Sequence, residues 1–177
     1  KSFREHFSDC SLNIVAQGGA AAARLLRDGA LDFWVSGMDL AHVPGMRDLR
    51  QEILVESPRC LIAPRGHPLL RLDQVTLRDI ARYPLVMLSN ADPGSSALLL
   101  EGMLQGAGLA YEVALRMDNI EPVKKYVQLG LGISVAPLYM VSEPDQRGLR
   151  VVPVGHILPP SRITLVTTHD WKPSPEA

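Results

Sequence analysis

Residues 117–137, MDNIEPVKKYVQLGLGISVAP, constrain the fold more than any other stretch of the chain. They read as a loop, a helix and a strand in immediate succession. Asp118 and Asn119 are good helix N-caps, because a short side-chain oxygen accepts from the free N–H groups of the first turn. With Asn119 as the cap, Pro122 falls at the third helical position, where a missing N–H costs nothing. Glu121 in that turn suits the positive end of the helix. Val123, Tyr126, Val127 and Gly130 recur at helical spacing. Gly130 fits the left-handed residue that ends a helix, and Leu131 the apolar contact that follows it. Residues 133–136 are apolar and partly β-branched, so they read as a buried strand stopped by Pro137. The start of such a helix is a ready place for an anion or a polar ligand.

The rest of the chain repeats this unit. Residues 11–16 (SLNIVA) alternate as a strand, 19–28 (GAAAARLLRD) read as a helix stopped at Gly29, and 31–36 (LDFWVS) as a second strand. A loop over 37–45 leads to a long extended stretch, 49–64, broken at Ser57-Pro58. After a turn at 65–68, residues 76–83 form a short helix with Thr76 as cap and Asp79 three residues on. A strand (84–88), a polar loop (89–96, SNADPGSS), a helix (97–107) closed by Gly108-Leu109 and a strand (111–117) lead into the opening unit. Beyond it come a short helix over 137–145 and strands over 149–154 and 162–168. Strands alternating with helices imply an α/β fold with mainly parallel sheets. Ligands in such sheets bind beyond the C-terminal ends of the strands. Three polar loops take that position: Ser36 with Gly37; Ser89, Asn90, Gly94, Ser95 and Ser96; and Asp118 with Asn119. Any one of them reads first as an ordinary cap or turn; the three together make a polar ligand pocket as good a reading as three separate turns. Asp118 reads first as a helix cap and second as a partner for an ammonium or hydroxyl group of the ligand.

Composition excludes several function classes. The formal net charge is −1, which argues against a nucleic-acid surface, since phosphate binding needs clustered Lys and Arg. No apolar run approaches the ~20 residues of a membrane span. Cys10 and Cys60 read as reduced core residues, which favours a cytoplasmic origin. Zinc signatures, GxSxG and the P-loop are missing, and Gly130-Leu131-Gly132 lies at a helix end, so it is not a dinucleotide fingerprint. His6, His42, His67, His156 and His169 are isolated surface or turn residues. Ser95 and Ser96 have no visible base and read as helix caps. Arg24, Arg27 and Asp28 form a solvated helix face, Trp34 belongs to the core, and Lys124-Lys125 is too short for a basic patch. No catalytic set, metal site or cofactor motif emerges. Both ends look cut: Phe3 and Phe7 resemble the last turns of a helix without a beginning, and Ser174-Pro175-Glu176 resembles a helix start.

Several of these segments together resemble the effector-binding domain of LysR-type transcriptional regulators. Leu12 to Val15 followed by Leu25-Leu26-Arg27-Asp28-Gly29-Ala30-Leu31-Asp32 is similar to the family's strand, helix and LxxGxLD opening. Leu61-Ile62-Ala63-Pro64-Arg65-Gly66-His67-Pro68-Leu69 resembles its VxPxxHPL crossover, the most specific match. Val75 to Ile80 with Tyr83 to Val86, and Val123 to Ala136, resemble its next helix and strand and its GxGI segment. Lys124 to Val127 is similar to the sulfur- and nitrogen-assimilation branch. The resemblance implies an α/β fold of two Rossmann-like subdomains of the type II periplasmic-binding-protein kind, joined by crossover strands. Subdomain I is then 1–54 plus 162–177, subdomain II 55–161, and the effector lies in the cleft between them. It implies a homodimer or tetramer and DNA contact only through a winged helix-turn-helix that this sequence does not contain. The family's first strand, whose loop supplies Ser or Thr to the ligand, is also missing. Gly37 stands where relatives often carry a hydroxyl residue, with Ser36 as its replacement, and Ser95 matches the hydroxyl residue that opens the next helix. The expected effector is small and polar or anionic. A solute-binding protein of the periplasm shares the fold and is the alternative; an enzyme on this scaffold would need a base–nucleophile pair or metal set.

Overall fold

Strands β2 (Leu49–Ser57) and β3 (Arg59–Pro64) are one extended run interrupted at Pro58, which has no N–H to give a ladder. The computed structural model describes residues 5–8, 11–37, 40, 43–89 and 94–172. From this long run the chain builds two sheets that share no strand. In the first, β8 (Ser161–Thr168) lies between β1 (Trp34–Ser36) and β2, antiparallel to both. In the second, β3 lies between β6 (Ser134–Pro137) and β7 (Leu149–Pro153), again antiparallel to both. Beside it β4 (Leu85–Leu88) and β5 (Val113–Met117) pair in parallel, and a parallel bridge between Leu85 and Ile133 joins them to β6.

The expectation of mainly parallel sheets is therefore corrected. β4–β5 is the one parallel ladder between the described strands. The reason is the crossover: β2 and β3 pass from one sheet to the other, β8 returns alongside β2, and a strand that returns is antiparallel to the one that left.

β3 shows how the second core is built. It is buried along nearly its whole length, and its side chains alternate between two helical layers. Cys60 and Ile62 pack with Val123 and Val127 of α4 (Ile120–Gln128). Leu61 and Ala63 pack on the other face with Ile80 of α2 (Leu77–Ala81) and with Leu100 and Leu104 of α3 (Ser96–Gly106). The first sheet has a separate, smaller core in which Ala23 and Leu26 of α1 (Gly19–Arg27) meet Leu40, Met46, Leu49 and Val166.

The segment 117–137 folds as its sequence indicates. The Asn119 side chain caps α4 by accepting from the Glu121 N–H at 2.9 Å. Gly130 has φ +84°, and the bonds Leu131 N–H to Tyr126 O and Gly130 N–H to Val127 O close a Schellman motif. Gly132 is glycine for another reason. A Cβ there would stand 2.2 Å from the Pro84 carbonyl oxygen, which accepts the Ile133 N–H at 2.9 Å. Thr76 and Asp79 form the expected capping box.

Two expectations fail. Residues 11–16 form no strand; they are exposed and pair with none of the described strands, and alternation alone makes no strand without a neighbouring edge. Residues 137–145 form no α-helix but a 3-10 turn, Leu138–Met140, with a second, Asp145–Arg147, just beyond; Pro144 cannot supply a helical N–H between them. No helix among the described residues is long and apolar enough to cross a membrane.

Candidate functional site

Between the two cores lies a cavity of about 260 Å³. Its walls come from both sides of the crossover: the start of α1, the end of β1, the start of α3, the end of β6 and the turn that follows it. Ser36, Gly37, Gly94, Ser95 and Ser96 all line it, so two of the three polar loops converge. The third does not. Asp118 and Asn119 are exposed and border neither this cavity nor its neighbour, and only Ile120 of that helix start reaches the cavity. Asn119 is turned to its own helix as a cap. Ser89 is also outside; its backbone N–H is held by the Met117 carbonyl at 2.6 Å. Asn90 lies outside the described residues.

The residues that converge have defined local roles. Ser95 Oγ accepts from the Leu98 N–H at 3.3 Å and caps α3. The Thr164 hydroxyl donates to the Ser36 carbonyl at 3.1 Å and accepts from Gln51 Nε2 at 2.7 Å, which fixes the end of β1 against β8. At Gly37 a Cβ would stand 3.7 Å from the Tyr139 hydroxyl oxygen. Tyr139 lines the cavity, so its phenol brings a hydroxyl to the place where position 37 carries none.

The principal residue that sequence reasoning missed is Arg59. The three polar loops contain no Arg or Lys, so by themselves they offer a ligand only neutral donors and helix dipoles. The structure adds a cation to them, because Arg59, the first residue of β3, lines the cavity. It is 4% exposed and borders both the first cavity and a second of about 350 Å³. Nε donates to Ser96 Oγ at 3.0 Å, Nη2 to the Gly94 carbonyl at 2.5 Å, and Nη1 to the carbonyls of Pro159 and Pro160, the latter at 2.8 Å. One side chain thus ties the start of α3 to both arms of the crossover. Burial pushes its pKa down from the ordinary value, and Tyr139 partly opposes that. The signal was present in the sequence as a lone cation in the apolar run around 53–63, where a charge needs a reason.

A second missed element braces the cavity from outside. Lys124 belongs to the pair too short for a basic patch, and the fold buries it to 5% exposure. Its Nζ is 2.7 Å from Glu121 and 2.7 Å from Asp145, and it donates to the Met140 carbonyl at 3.2 Å. Asp145 also accepts from the Ser142 N–H and hydroxyl, each at 2.7 Å. This clasp fastens α4 to the turn that carries Tyr139 and Met140, both of which line the cavity. Among the described residues, no group of three His, Cys, Asp or Glu side chains could hold a metal ion.

A cavity bordered by two sheets that share no strand, with one antiparallel run passing from sheet to sheet, is a pattern found among known folds. The family model described as LysR substrate binding domain matches residues 1–177. The chain belongs to this family. A LysR substrate-binding domain of this kind is similar to the HTH-type transcriptional regulator CysB of Burkholderia cenocepacia, at 35% identity over 96 residues, covering 54% of the chain and 30% of that protein. It is also similar to the HTH-type transcriptional regulator cbl of Escherichia coli K12, at 26% identity over 93% of the chain and 51% of that protein. The LysR domain here thus spans about half the length of these relatives or less. Its fold matches the crystal structure of the cofactor-binding domain of the Cbl transcriptional regulator with a TM-score of 0.84, at 23% identity, over 98% of this chain and 74% of that one. The architecture is that of the type II periplasmic-binding-protein-like LysR domains, as the resemblance implied.

Proposed function

We propose that this domain is the effector sensor of a LysR-type transcription regulator. A small polar or anionic effector binds in the cleft and controls DNA binding by a helix-turn-helix carried elsewhere in the protein. The observation that carries this reading is the convergence of Ser36, Gly37, Ser95 and Ser96 from opposite sides of the crossover on one cavity. Membership of the family supports it, as do relatives named as transcriptional regulators. The division into 1–54 plus 162–177 and 55–161 belongs to the same reading; two separate cores and two sheets that share no strand support it. A cytoplasmic location, action as a homodimer or tetramer, and the absence of catalysis belong to the same reading. A ligand held by both halves favours one relative placement of them over others, and that differential affinity is what a sensor needs.

Of the proposed site residues, Ser36, Gly37, Gly94, Ser95 and Ser96 are retained as the binding wall. Ser89, Asp118 and Asn119 stand away from it, and we assign them no contact. Calorimetry with candidate organic acids, amino-acid derivatives and inorganic oxyanions, on the wild type and Ser95→Ala, tests the reading. Loss of the hydroxyl should weaken binding by about 0.5–3 kcal/mol. Ser95 also caps α3, so the melting temperature of the variant is measured alongside; a lost cap lowers stability by about 1 kcal/mol without abolishing the fold. An effector that is large and apolar, or one that binds Ser95→Ala unchanged, refutes this site.

A further inference from the structure

Arg59 carries a charge that no carboxylate among the described residues balances. Each of the other cations in a described ion pair faces a carboxylate: Arg27 faces Asp48, Arg116 faces Glu101, Lys124 faces Glu121 and Asp145, and Arg162 faces Glu56. Arg59 is the one buried arginine among the described residues, and its partners are one hydroxyl and three backbone carbonyls. A buried charge held only by neutral dipoles is costly, and an opposite charge brought beside it is correspondingly favoured. An arginine has five N–H donors and keeps its proton in proteins. Four are used here, which leaves one N–H of Nη2 without a partner among the described residues. Ser96 oxygen accepts from Nε, so its own O–H remains to be donated, and a hydroxyl that accepts from a cation is the better donor for it. Both groups border the 260 Å³ cavity.

We infer that Arg59 is the specificity-determining residue of the cleft: it selects a small oxyanion, a carboxylate, sulfate or phosphate group, which binds beside its guanidinium and the Ser96 hydroxyl. This rests on the cleft's being the effector site, and narrows polar or anionic to anionic. It also separates two kinds of donor. The backbone and hydroxyl groups of the cleft bind any acceptor, whereas Arg59 discriminates by charge. The geometry of a fork held on three sides adds a coupling. An anion that draws the guanidinium alters its hold on the Pro159 and Pro160 carbonyls, which lead directly into β8.

The test uses acetate, sulfate and acetamide, the last a neutral match for acetate in shape. Each is titrated at constant ionic strength into the isotope-labelled wild type, Arg59→Gln and Arg59→Lys, following the backbone amide resonances of Gly37, Ser95, Ser96 and Ala97. The wild type should respond to acetate and sulfate with saturation in the millimolar range, and to acetamide at least about tenfold more weakly. Arg59→Gln should lower the two anions to the level of acetamide, while Arg59→Lys keeps the preference for charge. Equal affinity of the wild type for acetate and acetamide overturns the inference, as does a Gln variant that still prefers anions. Failure of every anion to saturate those amides overturns it too. A neutral ligand that binds the cleft and is weakened by Ser95→Ala would leave the sensor reading standing while removing charge selection by Arg59. If Arg59→Gln does not fold, the acetate-to-acetamide ratio in the wild type and the Lys variant decides.

Discussion

Cutting the Lys124 clasp from its two ends should have unequal effects. Asp145→Ala leaves the ammonium group of Lys124 buried with only Glu121, whose side chain is mostly exposed, and the Met140 carbonyl. Stranding a fully buried charge costs about 3–5 kcal/mol. Asp145 retains some exposure and Glu121 still contributes weakly, so the figure falls to about 2–3 kcal/mol. For a chain of this size that is a loss of about 4–12 °C in melting temperature. Lys124→Met behaves differently, because methionine fills the space of the lysine stem and Asp145 keeps both bonds from Ser142. Its cost should be about 1 kcal/mol. The double variant should then resemble Lys124→Met rather than the sum, a coupling of about 2 kcal/mol. Urea denaturation at neutral pH of all four proteins, followed by far-ultraviolet dichroism, measures these differences. Lys124→Met as damaging as Asp145→Ala, or additive effects in the double variant, would refute the claim that a buried charge is what the carboxylate satisfies. The pH dependence has a definite sign. Burial pushes the Asp145 carboxyl up, but bonds from Lys124 and Ser142 outweigh it and its pKa lies below the ordinary value. Burial likewise pushes Lys124 down, and Asp145 and Glu121 outweigh it upward. The clasp therefore stabilises the fold between the unfolded pKa values of about 3.9 and about 10.4; its contribution is lost as pH falls below the first or rises beyond the second.

Other outcomes follow from single contacts. Gly132→Ala should destabilise the fold by about 1–3 kcal/mol, since the new methyl group displaces the Pro84 carbonyl from the Ile133 N–H; denaturation equal to wild type would show that the strands can part without cost. Cys60 is a buried free thiol pushed up to about 11 by burial. Its alkylation at pH 8 should be far slower in the native chain than in denaturant, and rapid native labelling at Cys60 by mass spectrometry contradicts this. This chain by itself should bind promoter DNA weakly at physiological salt, given its net charge of −1; a salt-sensitive, promoter-specific gel shift would overturn that expectation.

Much of the fold is written locally. Asn119, Gly130 and Gly132 fix the cap, the end and the close approach of one helix–strand unit from within some fifteen residues. Thr76 with Asp79, and Ser95 before α3, do the same for two other helices, because caps and turns depend on bonds between near neighbours. The extended run broken at Pro58 is legible in the same way, while its passage from one sheet to the other is what the family resemblance implied. What the sequence could not determine is what these pieces meet. Ser36 and Gly37 share a cavity with Ser95 and Ser96, while Asp118 and Asn119, equally polar and equally placed at a strand end, stay outside it. Residues 11–16 have the alternation of a strand without an edge to pair with. Arg59 and Lys124 look like surface charges in a list of residues and prove to be buried, one against backbone carbonyls far along the chain and the other against Asp145. Burial and pairing of a charge depend on segments that approach only in the folded state, at separations of 21 residues for Lys124 and about a hundred for Arg59 with the 159–160 segment. Local bonding decided the elements, and tertiary packing decided which of their polar ends became a site.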